Sequence, residues 1–348
     1  MCPSICAQRL PSERTRTFIF MVTLLLGYSM VHAQSTCAEA ASNRTSPTGN
    51  LYIILGQSNA VGLASVKDVT PPAKDLVTPE TVYPNVQIYG IRGAPDGVAG
   101  RDDPTQSQDV AWSRFAQWHP TKPGFGFKNV VGNEQYFPAD TSVDDLFGPE
   151  IYLAHYLSAK SPGTQYILKL AVANTALADI DGHDGWLPGG HLYGELLKMV
   201  VDAQRAKADK VRLTVGALFF VQGESDASSP VYAAAYRKNL DRFITRIRAD
   251  LFKMGCSKVR DVPFVMTRTQ RNPSWSFAET VRRAQEKISR TVSRVKLINT
   301  DDFVEHMTAG ANHFNERSQA ILGERFFRAL KPESSGAGSE RGHWIADQ

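Results

Sequence analysis

The run Leu51-Tyr52-Ile53-Ile54-Leu55-Gly56-Gln57-Ser58-Asn59 constrains this chain more than any other stretch. A continuous apolar run of this length suits a central parallel strand covered on both faces. Gly56 permits a tight turn, and Ser58 then stands where such a sheet opens, the usual ligand position in open α/β folds. Serine alone is a weak nucleophile and needs a general base and an oxyanion site. The rest of the chain must therefore supply a histidine, a carboxylate and donor groups.

Of the 348 residues, 1–33 read as a leader: Arg9, Arg14 and Arg16 precede an apolar run from Phe18 to Val31, and Val31-His32-Ala33 fits a small-residue cleavage site. That is the layout of a secretory signal peptide, which implies a secreted or periplasmic protein. A membrane anchor is the alternative, but the run falls short of the roughly 20 apolar residues a span needs. No cysteine follows the cleavage site in lipobox fashion. Cleavage removes three arginines and Glu13, so the net charge falls from +4 to +2. The remaining cations are scattered through helical patterns, which argues against a nucleic-acid partner. What remains is ample for one large α/β domain.

Cys37 and Cys256 are the two cysteines left after cleavage. They can pair across a very long loop or stay free; sequence leaves both open, and neither has a metal-ligand spacing. Residues 34–49 read as an exposed lead-in, with Asn43-Arg44-Thr45 a glycosylation acceptor if the source is eukaryotic. Residues 331–348, rich in Pro, Ser, Gly and charge, are expected to be a disordered tail.

Between these ends, about 64–140 is a poorly periodic region with a strand at 86–89. It serves either as the rim of a cleft, with Trp112 and Trp118, or as surface decoration. From Gly148 the pattern becomes regular. Helices are expected at 149–157, 191–207, 236–251, 277–292 and 315–330, and strands at 166–172, 211–221, 262–266 and 295–298. Such alternation implies βαβ units, hence a three-layer α/β/α sandwich around a mostly parallel sheet over residues 50–330.

Two further segments complete a chemical set. Val221-Gln222-Gly223-Glu224-Ser225-Asp226 again follows an apolar strand. Gln222 can donate to an oxyanion and Glu224 can orient a histidine, although Ser and Asp there also suit a helix cap. Ala311-Asn312-His313-Phe314-Asn315 precedes the last helix, and His313 is the favoured base, with His306 its rival. His155 fits a helix, while His183 and His191 flank a glycine-rich loop. Ala60 occupies the last glycine position of G-x-S-x-G, which speaks against the α/β-hydrolase nucleophile elbow.

Together these segments resemble the SGNH hydrolase superfamily, and within it the sialate O-acetylesterase-like branch that includes the family 6 carbohydrate esterases. That branch has G-Q-S-N after a strand, here residues 56–59; Q-G-E-[ST]-[DN], here 222–226; and a histidine before a helix with a Leu-Gly pair, here His313 and Leu322-Gly323. Softer likenesses are Phe147-Gly148-Pro149-Glu150, Leu192-Tyr193-Gly194 and Arg283-Ala284-Gln285. The chain departs from the pattern twice. Gly310 stands where many members have the aspartate of D-x-x-H, and Ala173-Asn174-Thr175 replaces a glycine pair before threonine.

The resemblance implies a serine esterase acting on O-acetylated carbohydrate without metal or organic cofactor. Ser58 is the expected nucleophile and His313 the base, with Gln222, Asn174 and Asn59 as oxyanion or binding groups. With Gly310 unable to orient His313, the acid is Glu224, as the likeness to family 6 esterases implies, or else Asp302 or Asp301. Two other readings remain: a non-catalytic carbohydrate-binding or surface module, and a lipase or thioesterase. The latter expects an apolar cleft, not one rimmed by Trp112, Trp118 and Trp186. Oligomeric state and the identity of the glycan are not legible.

Overall fold

The computed structural model describes residues 36–41, 45–69, 77–91, 112–126, 142–178, 185–207, 210–305 and 313–331. The expected leader, the tail beyond Lys331, His183, His306 and Gly310 lie outside these residues. In chain order the first half holds α1 (Cys37–Ala40), β1 (Thr48–Gly56), α2 (Ser58–Val61), β2 (Ala64–Ser65), β3 (Tyr83–Gly90), β4 (Gln117–Thr121), β5 (Leu146–Phe147) and α3 (Glu150–Lys160). The second half holds β6 (Gln165–Ala171), α4 (His191–Arg205), β7 (Arg212–Val221), α5 (Glu224–Ala227), α6 (Pro230–Lys253), β8 (Phe264–Thr267), α7 (Ala278–Thr291), β9 (Val295–Ile298) and α8 (Glu316–Ala329).

Seven strands form one sheet in the order β4-β3-β6-β1-β7-β8-β9, parallel except for β4 at its edge. The chain visits β3 and β6 on one side of β1, then crosses to β7, β8 and β9 on the other. The carboxyl end of β1 is therefore a topological switch point, the place where open α/β sheets usually bind their ligands. From Leu51 onward β1 is buried on both faces. Ile53 and Leu55 pack under α4, α6 and α7, whereas Tyr52 and Ile54 pack under α3 and α8. These are the three expected layers, and they follow from the period-two alternation of a strand.

In β7 the faces change partway. Val215 pairs with Leu51 but Ala217 with Tyr52, so Gly216 is an extra residue. Such a bulge reassigns every later side chain to the opposite face. Leu213 and Val215 therefore share a face with Leu218 and Phe220.

Two expectations are corrected. Residues 36–41 are not an exposed lead-in: Cys37 and Ala40 are buried, and Cys37 is disulfide-bonded to Cys256, 219 residues away. Closing so long a loop stabilises a fold by about 2–4 kcal/mol, mainly through the unfolded chain. Part of the irregular 64–140 region is also core, since Ala64, Val66, Val69 and Val77 cluster with Phe147, Ile151 and Tyr152. No helix among the described residues is long and apolar enough to cross a membrane.

Candidate active site

Ser58, Asn174 and Glu224 follow the carboxyl ends of β1, β6 and β7, three adjacent strands. Each turn is shaped by its own backbone. Gly56 has φ +139, and a Cβ there would lie 1.9 Å from the Val221 carbonyl oxygen. Only glycine lets β1 and β7 stay this close while the chain turns toward Ser58. Gly223 has φ +138 and faces Thr269, whose Oγ1 would stand 2.1 Å from an added Cβ. Asn174 holds φ +59 without being glycine, a left-handed conformation that asparagine tolerates better than most residues. It is exposed, whereas Ser58 and Glu224 are buried.

Asn59 ties the three sequence motifs together. Its Nδ2 donates to Glu224 Oε1 at 2.9 Å, and its Oδ1 accepts from the Phe314 backbone N–H at 2.8 Å. Its own carbonyl accepts from Gln319 Nε2 of α8 at 3.2 Å. Gln57 adds a weaker link, its Oε1 accepting from the Ser225 N–H at 3.4 Å. The serine turn, the glutamate turn and the segment carrying His313 are thus cross-braced by one asparagine. Asn59 was expected to face ligand; it is buried, and both ends of its amide are engaged.

Gln222 is corrected in the same way. Its Nε2 donates to Asp226 Oδ2 and to the Thr175 carbonyl (3.4 Å), and its Oε1 accepts from the Tyr236 hydroxyl (3.1 Å). That amide braces the wall of the site and is not aimed at an oxyanion. Asp226, read from sequence only as part of a cap, accepts the Leu177 N–H at 2.8 Å. It therefore pins the turn that carries Asn174. Burial pushes its carboxyl up to about 6. Gln285, one of the softer likenesses, is a further brace, joining the Gln222 carbonyl (3.2 Å) to Thr269 (3.1 Å).

His313 is held by its neighbours. Phe314 is buried edge-on against Phe303, with ring centroids 4.9 Å apart, and Asn315 caps α8 by accepting from the N–H groups of Arg317 and Ser318. Burial pulls the His313 imidazole down to about 4, so it is neutral at pH 7. Burial also raises the Glu224 carboxyl, an effect the Asn59 hydrogen bond partly offsets. Glu224 Oε2 is buried with no hydrogen-bond partner among the described residues.

The alternative acids stand in different surroundings. Asp301 meets Arg282 (2.9 Å) and Arg268 (2.9 Å), with Arg271 at 3.6 Å. Burial raises its carboxyl, but hydrogen bonding and charge from Arg282, then Arg268 and Arg271, outweigh this and hold it low. Asp302 is taken by Arg325 in two parallel bonds of 2.9 and 2.7 Å. Both carboxylates are thus engaged by cations.

The expected tryptophan rim is not observed for Trp118 or Trp186. Trp186 is fully buried, its Nε1 donating to Thr175 Oγ1 at 3.1 Å. Trp118 packs on the edge strand against Tyr89 and donates to the Ala203 carbonyl at 3.1 Å. His155 sits on α3 beside Tyr83, 3.4 Å from its hydroxyl, a packing role.

A mostly parallel sheet, covered on both faces and bearing a serine turn at its switch point, is a three-layer α/β/α fold of the SGNH type. The chain belongs to the carbohydrate esterase, sialic acid-specific acetylesterase family, whose model matches residues 48–331. Solved structures share the fold. One is a protein from Arabidopsis thaliana, 18% identical at a TM-score of 0.54, with 82% of this chain and 98% of that one covered. NanS is 13% identical at a TM-score of 0.56, with 82% and 97% covered. A carbohydrate acetylesterase from Xanthomonas citri is 14% identical at a TM-score of 0.52, covering 81% of this chain and 55% of that one. At these identities the likeness is one of fold. No curated protein matches the chain in sequence.

Proposed function

We propose that this protein is an exported serine esterase that removes O-acetyl groups from carbohydrate. The observation that carries the reading is the Asn59 bridge, which joins the Ser58 turn to the Glu224 carboxylate and to the backbone beside His313. In this mechanism Ser58 Oγ attacks the acetyl carbonyl carbon while His313 accepts the hydroxyl proton. The Ser58 backbone N–H and the Asn174 turn hold the oxyanion. As the tetrahedral intermediate collapses, the sugar oxygen leaves and takes the proton from His313. Water, deprotonated by His313, then attacks acetyl-Ser58; as the acetyl–Oγ bond breaks, His313 returns that proton to Ser58 Oγ and acetate is released.

Glu224 is the positioning acid. Its second oxygen, which has no partner among the described residues, is the group assigned to take the imidazole N–H once the ring turns toward it, fixing the tautomer and stabilising the imidazolium formed during attack. A neutral resting imidazole supports the base role, because only the unprotonated ring can accept a proton. Export is supported by the leader-like residues 1–33 and by the Cys37–Cys256 disulfide, since such bonds persist in oxidising compartments.

The test is fluorophosphonate labelling combined with acetate release from a panel of acetylated sugars. The expected result is stoichiometric label on Ser58, lost in Ser58→Ala, together with turnover on at least one acetylated glycan. A folded wild type that neither labels nor releases acetate would make the chain a non-catalytic module.

A further inference from the structure

We propose that the buried Lys169–Glu150 pair is a positioning strut beneath the Ser58 turn, setting turnover rather than holding the fold together. The proposal rests on Ser58 being the nucleophile. Lys169 is the sole charged residue of β6 and is buried between the fully apolar positions Leu168 and Leu170. Its Nζ donates to three acceptors: Glu150 Oε2 at 2.6 Å, the Val61 carbonyl at 2.7 Å and the Phe125 carbonyl at 2.9 Å. An ammonium has three donors, so the group is fully satisfied. Val61 is the last residue of α2, the short helix that Ser58 begins.

Glu150 links this contact to the next segment. It has no exposure, and its other oxygen accepts the Gly148 N–H at 2.9 Å. Gly148 is the bend against which the chain leaving α2 is pressed. Gly62 has φ +90, and a Cβ there would lie 2.2 Å from Gly148 Cα. The exit of α2 is thereby fixed from below by Lys169 and from the side by the bend that Glu150 holds. This gives the Phe147-Gly148-Pro149-Glu150 segment a role that the sequence likeness did not.

A purely structural account does not explain why the pair is ionic. Removing two charges from water is expensive, and apolar residues of similar volume commonly stabilise such sites as well or better. What leucine or methionine at 169 cannot do is hold the Val61 carbonyl. A shift of about 1 Å in a reacting group is enough to cost about a hundredfold in rate. The pair is thus placed to act on kcat through Ser58.

The decisive variant is the neutral double Lys169→Met/Glu150→Gln, assayed with 4-nitrophenyl acetate and a fluorophosphonate. The expected result is a folded protein with KM within about threefold of wild type, while kcat and the rate of Ser58 labelling both fall by about 10–100-fold. Should the double variant fail to fold, Glu150→Asp keeps both charges and withdraws the acceptor by one methylene. It is expected to lower kcat and labelling rate together, with KM again little changed. A folded variant of either kind that labels and turns over at the wild-type rate overturns the strut. Wild type left unlabelled at Ser58 overturns the nucleophile assignment, and the strut with it.

Discussion

Glu224 and Asp301 both follow the carboxyl ends of parallel strands, β7 and β9, yet their carboxylates are held in opposite ways. Glu224 is buried, its partner is the neutral Asn59 amide, and burial raises its affinity for a proton. Asp301 is about one-third exposed and ringed by Arg282, Arg268 and Arg271, which hold it ionised. A carboxylate saturated by guanidinium groups has little left to offer a histidine. One with a neutral partner and a second oxygen to spare can orient an imidazole and respond when it becomes charged. A place at the carboxyl end of a strand does not by itself make an acid useful; the charge of its neighbours does.

The largest expected effect tests whether the Glu224 side of this contrast contains the chemistry at all. Ser58→Ala and His313→Ala should each lower kcat by about 10⁴–10⁶-fold, and the double variant should lose little more, because groups acting in one step are not additive. Losses that multiply in the double variant would mean the two residues serve separate steps. Next in size, Glu224→Gln should reduce kcat by about 10²–10⁴-fold with the fold intact, since it keeps the shape and removes the charge that stabilises imidazolium. If Glu224→Gln were tolerated while Asp301→Asn or Asp302→Asn proved crippling, the contrast would be inverted and the acid reassigned.

Asn59→Ala sharpens the comparison by removing the neutral partner. It leaves a buried carboxylate and a buried N–H unsatisfied, so a stability loss of about 1–3 kcal/mol is expected, read by urea denaturation. Turnover should fall as well, because the Phe314 anchor of the histidine segment goes with it. A variant with wild-type activity would show that the bridge does not position His313.

The two sides also differ in their response to pH. With the His313 imidazole pulled down to about 4, kcat/KM should hold level well below pH 6 and fall only as pH approaches 4. The unfolded chain has the higher histidine pKa, about 6.5, so it binds more protons between that value and the folded one, and His313 stabilises the fold less as pH drops through that window. Glu224, raised in the fold, has the opposite sign: its carboxyl disfavours the folded state as pH rises through and above its unfolded value. Asp301, held low, contributes stability above its unfolded value and loses it as pH falls. An acid limb in kcat/KM near pH 6.5 would place His313 in a wetter setting than its burial implies. The smallest expected effect is that of Asp302→Asn, about twofold or less in kcat and under about 1 kcal/mol in stability, as befits an exposed ion pair.

Much of the frame was legible. The strand expected at 295–298 is β9, and the helices expected at 277–292 and 315–330 are α7 and α8 within a residue or so. Their apolar periodicities are strong because each buries one stripe against the sheet. β4 was not legible: Gln117-Trp118-His119-Pro120-Thr121 has no apolar alternation, and Pro120 is tolerated because the strand lies at an edge. Nor could pattern place Trp186 in the core or detect the Gly216 bulge, since both depend on what lies opposite. Lys169 is a charge within an apolar strand, and its partners are 19, 44 and 108 residues away, beyond the reach of sequence pattern.

The amino-acid order alone determined the local events: a buried strand ending on Gly56, a serine turn, a glycine turn before Glu224, and a histidine ahead of a capped helix. Those follow from short-range preferences of backbone and side chain, which a sequence carries openly. The tertiary structure decided which polar groups remain available to a substrate. It turned Asn59 and Gln222 inward as braces, gave Asp301 and Asp302 to arginines, and left Asn174 exposed at the strand end. A hydrogen bond or an ion pair is made by whichever partner lies within about 3 Å, and only the packing of distant segments determines which partner that is.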